Sequence, residues 1–156
     1  MSIDDLEGRT VLASIKETID APANEIWPFL SAIGAERILI PGCTRSSVLE
    51  GYGKGAIRRV YFGDVFFDER ILECDSILYK LKYEVIEPNR SPATGVVAAV
   101  QLHPSESEKT TIITWVSGAE IVPPEHADML REQALGFCQG QAASLRRLSE
   151  AATKTT

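Results

Sequence analysis

Apolar and polar positions alternate with a period of two over much of this chain, which predicts strands. Residues 10–19 set Val11, Ala13, Ile15 and Glu17 against Leu12, Ser14, Lys16 and Thr18 and read as the first strand, after a loose arm over residues 1–9. Asp20-Ala21-Pro22 opens a helix with Ile26, Trp27, Phe29 and Leu30 on its apolar face. Pro28 keeps that helix short. A second short helix is expected over residues 32–38, before Pro41-Gly42. Strands follow over residues 44–50, 56–62, 65–73, 76–86, 95–103 and 110–120. Residues 125–152 switch to helical spacing, with Leu130, Ala134, Phe137, Cys138, Gln141, Leu145 and Leu148 on one face.

The run from Ala56 to Ile71 is the most informative. Gly63-Asp64 separates two β-rich segments, and glycine supplies the positive φ that a type II′ hairpin turn needs. With that loop, Phe62 faces Val65, Val60 faces Phe67, Arg58 faces Glu69 and Ala56 faces Ile71, all on one face. This face is mainly apolar and is expected inside, carrying the Arg58–Glu69 pair with it. A buried charge pair is costly, and perturbed ionisable groups cluster at functional sites. A register slipped by one residue would instead leave the pair exposed and worth roughly a few tenths of a kcal/mol.

The next hairpin bears on that choice. Lys80, Lys82 and Glu84 mark a wet face, so Ile77, Tyr79, Leu81, Tyr83 and Val85 are expected inside. A loop at Cys74-Asp75-Ser76 pairs Ile71 with Tyr79, Glu69 with Leu81 and Phe67 with Tyr83, which again buries Glu69. A shorter loop at Cys74-Asp75 brings Lys80 beside Glu69 and fits the alternation less well.

On the last helix Gly136, Gly140 and Ser144 lie at i, i+4 and i+8. Glycine costs about 1 kcal/mol in a helix interior. Either another backbone packs on this stripe, or a cavity is kept open beside it. The order is strand, two short helices, six strands and a long helix. That is an α+β arrangement in which a seven-stranded antiparallel sheet curves around the C-terminal helix and leaves a pocket between them. Ala98, Trp115 and Ser117 fall on the pocket side of the last two strands.

The length of 156 residues fits one domain, residues 1–156, able to bury a real core. A net charge of −6 argues against nucleic acid as a partner. No apolar run approaches the roughly 20 residues of a membrane span, and the acidic N-terminus resembles no targeting peptide. Cys43, Cys74 and Cys138 form no CxxC pair and read as free thiols of a cytoplasmic protein. No metal cluster and no cofactor motif is visible. Gly51-Tyr52-Gly53-Lys54-Gly55 sits between strands and reads as a hairpin tip rather than a phosphate cradle. His103, His126, Trp27, Arg37 and Arg45 read as structural or surface residues.

Several motifs then carry a resemblance over residues 10–150. They are Ile19-Asp20-Ala21-Pro22 with Ile26-Trp27, Gly53-Lys54-Gly55-Ala56-Ile57-Arg58, Glu69-Arg70-Ile71-Leu72 with Asp75, residues 111–115, and the terminal helix. Together they resemble the START and Bet v 1-like (SRPBCC) superfamily, the helix-grip fold, and within it the polyketide cyclase/dehydratase-like proteins. They are also similar to the plant abscisic acid receptors. The resemblance implies that Glu69 and Trp115 line a pocket, and that Gly136, Gly140 and Ser144 face it. Two departures count against a gated receptor: Gly63-Asp64 is a tight turn where the receptors have a gate loop, and their pocket lysine has no counterpart here.

Three functions are weighed. An enzyme of the cyclase/dehydratase kind would use Glu69 as base, Arg58 to hold a developing oxyanion, and Tyr83 or Tyr79 as proton donor, without metal or cofactor. Val60, Phe67, Tyr79, Leu81, Ala98, Trp115, Ser117, Gly136, Phe137, Gly140 and Ser144 would hold a small aromatic, polyketide-like or terpenoid-like molecule. A carrier or sensor would use the same residues only for binding. In a purely structural protein the Arg58–Glu69 pair would brace the sheet. Monomer and homodimer both remain open.

Overall fold

The structure, a computed structural model, describes residues 3–153. Seven strands form one antiparallel sheet: β1 (Thr10–Ile19), β2 (Arg45–Glu50), β3 (Ile57–Phe62), β4 (Val65–Asp75), β5 (Lys80–Val85), β6 (Val97–Pro104) and β7 (Thr111–Ala119). Their order across the sheet is β1-β7-β6-β5-β4-β3-β2. Helix α1 (Ala23–Leu30) follows β1, and the second short helix is a single 3-10 turn, Glu36–Ile38. Helix α2 (Ala127–Thr153) crosses the concave face. Its Leu130, Cys138 and Leu145 are buried, with Ala134, Phe137 and Leu148 packed beside them. This is the α+β helix-grip architecture the pattern predicts.

The central hairpin has the expected register. Arg58 pairs with Glu69, Val60 with Phe67 and Phe62 with Val65. Gly63 takes φ 67°, which a side-chain-bearing residue would resist. Arg58 is 4% exposed and Glu69 9%. The ion pair is therefore inside.

The second hairpin is different. Strand β5 begins at Lys80, and residues 76–79 form the turn. Asp75 causes this: its Oδ1 accepts hydrogen bonds from the amides of Ile77 (2.8 Å) and Leu78 (2.9 Å), which competes with strand pairing. Ile77 is thus 88% exposed rather than inside. A bulge between Ile71 and Glu73 then restores the faces, so that Ile71 pairs with Tyr83, Cys74 with Leu81 and Glu69 with Val85. Leu81 and Tyr83 remain inward, but Tyr79 sits at φ 54° in the turn, its ring 5.9 Å from that of Trp27.

The arm is not loose over residues 3–9. Leu6 is fully buried against Ala99 and Val116 on the convex face, and Arg9 Nε donates to the Gly95 carbonyl at 2.7 Å. An apolar patch on the outer side of β6 and β7 needs this cover. Residues 1–2 lie outside the described residues. Among the described residues no helix is long and apolar enough to cross a membrane.

Candidate functional site

Between α2 and the concave face lies a cavity of about 150 Å³. Of the residues singled out in the sequence, Val60, Phe67, Glu69, Tyr83, Ala98, Trp115, Ser117 and Phe137 line it. Alternation brings them there, because each is an inward position on β3 to β7 or on the inner stripe of α2. Leu12, Ile40, Phe62, Val85, Ala93, Val96, Leu130, Cys138 and Gln141 also line it. Sequence pattern marked several of these as apolar but gave no sign that loop residues Ile40 and Ala93 would close the space.

The polar centre of the site is a buried triad. Arg58 Nε donates to Glu69 Oε1 at 2.9 Å, and its Nη1 donates to Glu36 Oε2 at 3.4 Å. The guanidinium lies 4.6 Å above the Tyr83 ring. Glu36 comes from the 3-10 turn after α1, is 3% exposed, and also accepts from the Gly34 amide at 2.8 and 3.0 Å. Sequence reading missed Glu36. A signal was available, since a buried guanidinium carries five N–H donors and one carboxylate cannot satisfy them all.

The electrostatics follow from this packing. Burial pushes the Glu36 carboxyl above its ordinary range, only partly offset by Arg58 and Gly34. Burial works against the Arg58 charge, but Glu69 and Glu36 outweigh it, so its proton is held more tightly than usual. Burial, reinforced by Glu69, raises the Tyr83 phenol, which stays protonated. Burial alone lifts the Cys138 thiol to about 12, so it is no nucleophile at neutral pH.

Three expected placements change. Arg58 does not line the cavity; it stands behind Glu69 with two carboxylates on it, so it is not free to hold a ligand oxygen. Nor does the small-residue stripe of α2 face the cavity. Gly136 is exposed, while Gly140 and Ser144 line a separate surface groove with Pro41, Arg37 and Arg147. A Cβ on Gly140 would meet Pro41 Cγ at 2.7 Å, so close packing of the 38–43 loop explains the glycine. Ser144 Oγ donates back to the Gly140 carbonyl at 3.1 Å. Leu81 is core and Tyr79 belongs to the β4–β5 turn; neither lines the cavity.

Two predictions arise here. Gly140→Ala, which must displace Pro41, is expected to lose about 1–3 kcal/mol. Gly136→Ala meets nothing within 4 Å and should gain about 0.5–1 kcal/mol. Urea unfolding of both variants checks this, and a gain in both would refute the close approach. The second concerns pH. Because folding raises the Glu36 pKa above 4.5, the folded state binds that proton more tightly than the unfolded chain. Stability from this group is full below about pH 4.5 and is lost as pH rises through the folded value. The stability of Glu36→Gln relative to wild type should therefore climb from pH 4.5 upward, as read by urea midpoints across pH 4–8; a fall would contradict the direction.

A family model described as polyketide cyclase / dehydrase and lipid transport matches residues 10–150. Comparison with curated proteins gives no match. Among solved structures the fold is similar to truncated norcoclaurine synthase from Thalictrum flavum, with 18% identity, TM-score 0.72, and coverage of 89% of this chain and 92% of that one. A START superfamily protein from Mycobacterium smegmatis aligns at 15% identity and TM-score 0.71, over 90% of this chain and 97% of that one. A Thermobifida fusca protein aligns at 21% identity and TM-score 0.74, over 86% and 91% respectively. A match that spans nearly the whole chain shows that it belongs to the polyketide cyclase/dehydrase and lipid transport family, and the solved structures share its helix-grip fold.

Proposed function

We propose that the protein takes a small apolar molecule into this cavity and moves protons on it without a cofactor, as a cyclase, dehydratase or isomerase would. The observation that carries the proposal is the placement of Glu69 and Tyr83 together on a lining that is otherwise mostly apolar. Family membership supports binding of a small hydrophobic molecule. Glu69 keeps one carboxylate oxygen on Arg58, which orients it, and its other oxygen is available to take a proton from carbon. The C–H electron pair moves toward an adjacent carbonyl, and the protonated Tyr83 phenol donates a hydrogen bond to the oxygen as charge builds there. Trp115 and Phe137 supply flat apolar walls.

Deuterium exchange tests the proposal. Acetophenone incubated with the protein in D2O should gain methyl deuterium, followed by NMR, faster than in buffer. Absence of any enhancement over Glu69→Gln would remove the base assignment. A carrier is the second reading, favoured by the tight Arg58 grip on Glu69 at 2.9 Å. Its mark would be binding without exchange.

A further inference from the structure

Glu36 is the buried carboxylate that the proton transfer leaves idle. It is 3% exposed, does not line the cavity, and meets the site through Arg58 Nη1 at 3.4 Å. Both of its oxygens also accept from the Gly34 amide, which fixes its place from the loop side. Burying a second carboxylate beside the first is costly, and Glu36 can act on the site only through Arg58.

The neighbouring pair on the same hairpin supplies a comparison. Arg59 pairs with Asp68 one residue along from Arg58 and Glu69. Its guanidinium takes the carboxylate as a fork: Nε donates to Oδ1 at 2.7 Å and Nη2 to Oδ2 at 2.9 Å, which occupies both oxygens. Among the described residues Asp68 is the sole carboxylate on Arg59. Arg58 has two, Glu69 and Glu36. It gives Glu69 a single hydrogen bond, Nε to Oε1 at 2.9 Å, and turns Nη1 to Glu36. Glu69 Oε2 accepts no hydrogen bond from the described residues, and Glu69 lines the cavity.

Charge divides in the same way. With both carboxylates ionised, one guanidinium serves two anions, and each gives up its proton less readily than a carboxyl paired alone with a cation. Tyr83 from β5, Cys43 from the loop before β2, Cys74 from β4 and Cys138 from α2 stand around the triad. Burial raises each of them, so they are neutral at pH 7.

We infer that Glu36 is a positioning residue for Glu69: by holding Arg58 Nη1 it prevents the fork seen at Arg59, leaves Glu69 Oε2 open to the cavity, and keeps the Glu69 charge from being fully neutralised. This deepens the reading of Glu69 as a base and, for its effect on rate, rests on it.

Glu36→Gln tests this with two readouts, and the variant should fold because it relieves a buried charge. Carbon NMR of the side-chain carboxyls, with the Glu69 signal assigned by its loss in Glu69→Gln, follows the titration of Glu69 and needs no turnover. The Glu69 midpoint should fall by about one pH unit in Glu36→Gln, as removal of a neighbouring like charge predicts. Glu84→Gln, which removes a carboxylate paired with Arg70, should not move it. Deuterium exchange into acetophenone should fall about three- to tenfold at pH 7, with the acid limb of its pH profile displaced downward and binding of the ketone unchanged. A Glu69 midpoint that stays put or rises in Glu36→Gln would overturn the inference even if the rate fell, because a packing role would then suffice. If wild type exchanges no deuterium while the midpoint falls, the inference about Glu36 stands and the reading of Glu69 as a base fails.

Discussion

Arg58→Ala should destabilise the protein by about 3–5 kcal/mol, the cost of leaving buried carboxylates without their cation. Glu69 and Glu36 are both at most 9% exposed and both hydrogen-bond Arg58. Without it they must be protonated, hydrated or moved. The loss should be largest at neutral pH and shrink in acid, since protonated carboxyls need no counter-ion. Urea unfolding at pH 7 and pH 5 reads both effects. A loss below about 1 kcal/mol at pH 7 would mean that the triad is solvated. The Arg58→Met variant, which keeps a long unbranched side chain and removes the guanidinium over Tyr83, separates lost charge from lost side-chain volume.

The second large effect is chemical. Glu69→Gln keeps the shape of the side chain and removes its basicity. If Glu69 takes the proton, exchange into acetophenone should fall by about 10²–10⁴-fold, the usual contribution of a positioned base. Binding of the same ketone should change little. Tyr83→Phe should cost less, because it removes one hydrogen bond to the oxygen and leaves the base in place. Equal rates for wild type and Glu69→Gln would assign the chemistry elsewhere or nowhere.

How far the sequence could be read depended on local determinants. Gly63-Asp64 permits one tight turn, so the β3–β4 register and the burial of Arg58 and Glu69 followed directly. Leucine and cysteine spacing on α2 likewise named the face that meets the sheet. The β4–β5 register was hidden because a capping aspartate and a bulge altered the count by amounts that alternation does not record. Both Asp75 and the irregularity between Ile71 and Glu73 act through backbone hydrogen bonds. Glu36 was hidden for a different reason. Between Ala35 and Arg37 it reads as solvated, and only the path of the 31–44 loop brings it to Arg58. The Gly140 stripe shows the limit of analogy: one rotation step around α2 separates the cavity face from the face that meets Pro41.

The most direct test of the central claim is native mass spectrometry of the purified protein against a small-molecule extract of its producer, with Glu69→Gln in parallel. The account predicts that the variant retains a small captured compound unchanged, while the wild type releases it altered in mass, or isomerised as read by chromatography. If both proteins hold the same unchanged compound, the cavity carries rather than converts, and Glu69 is a binding group and not a base.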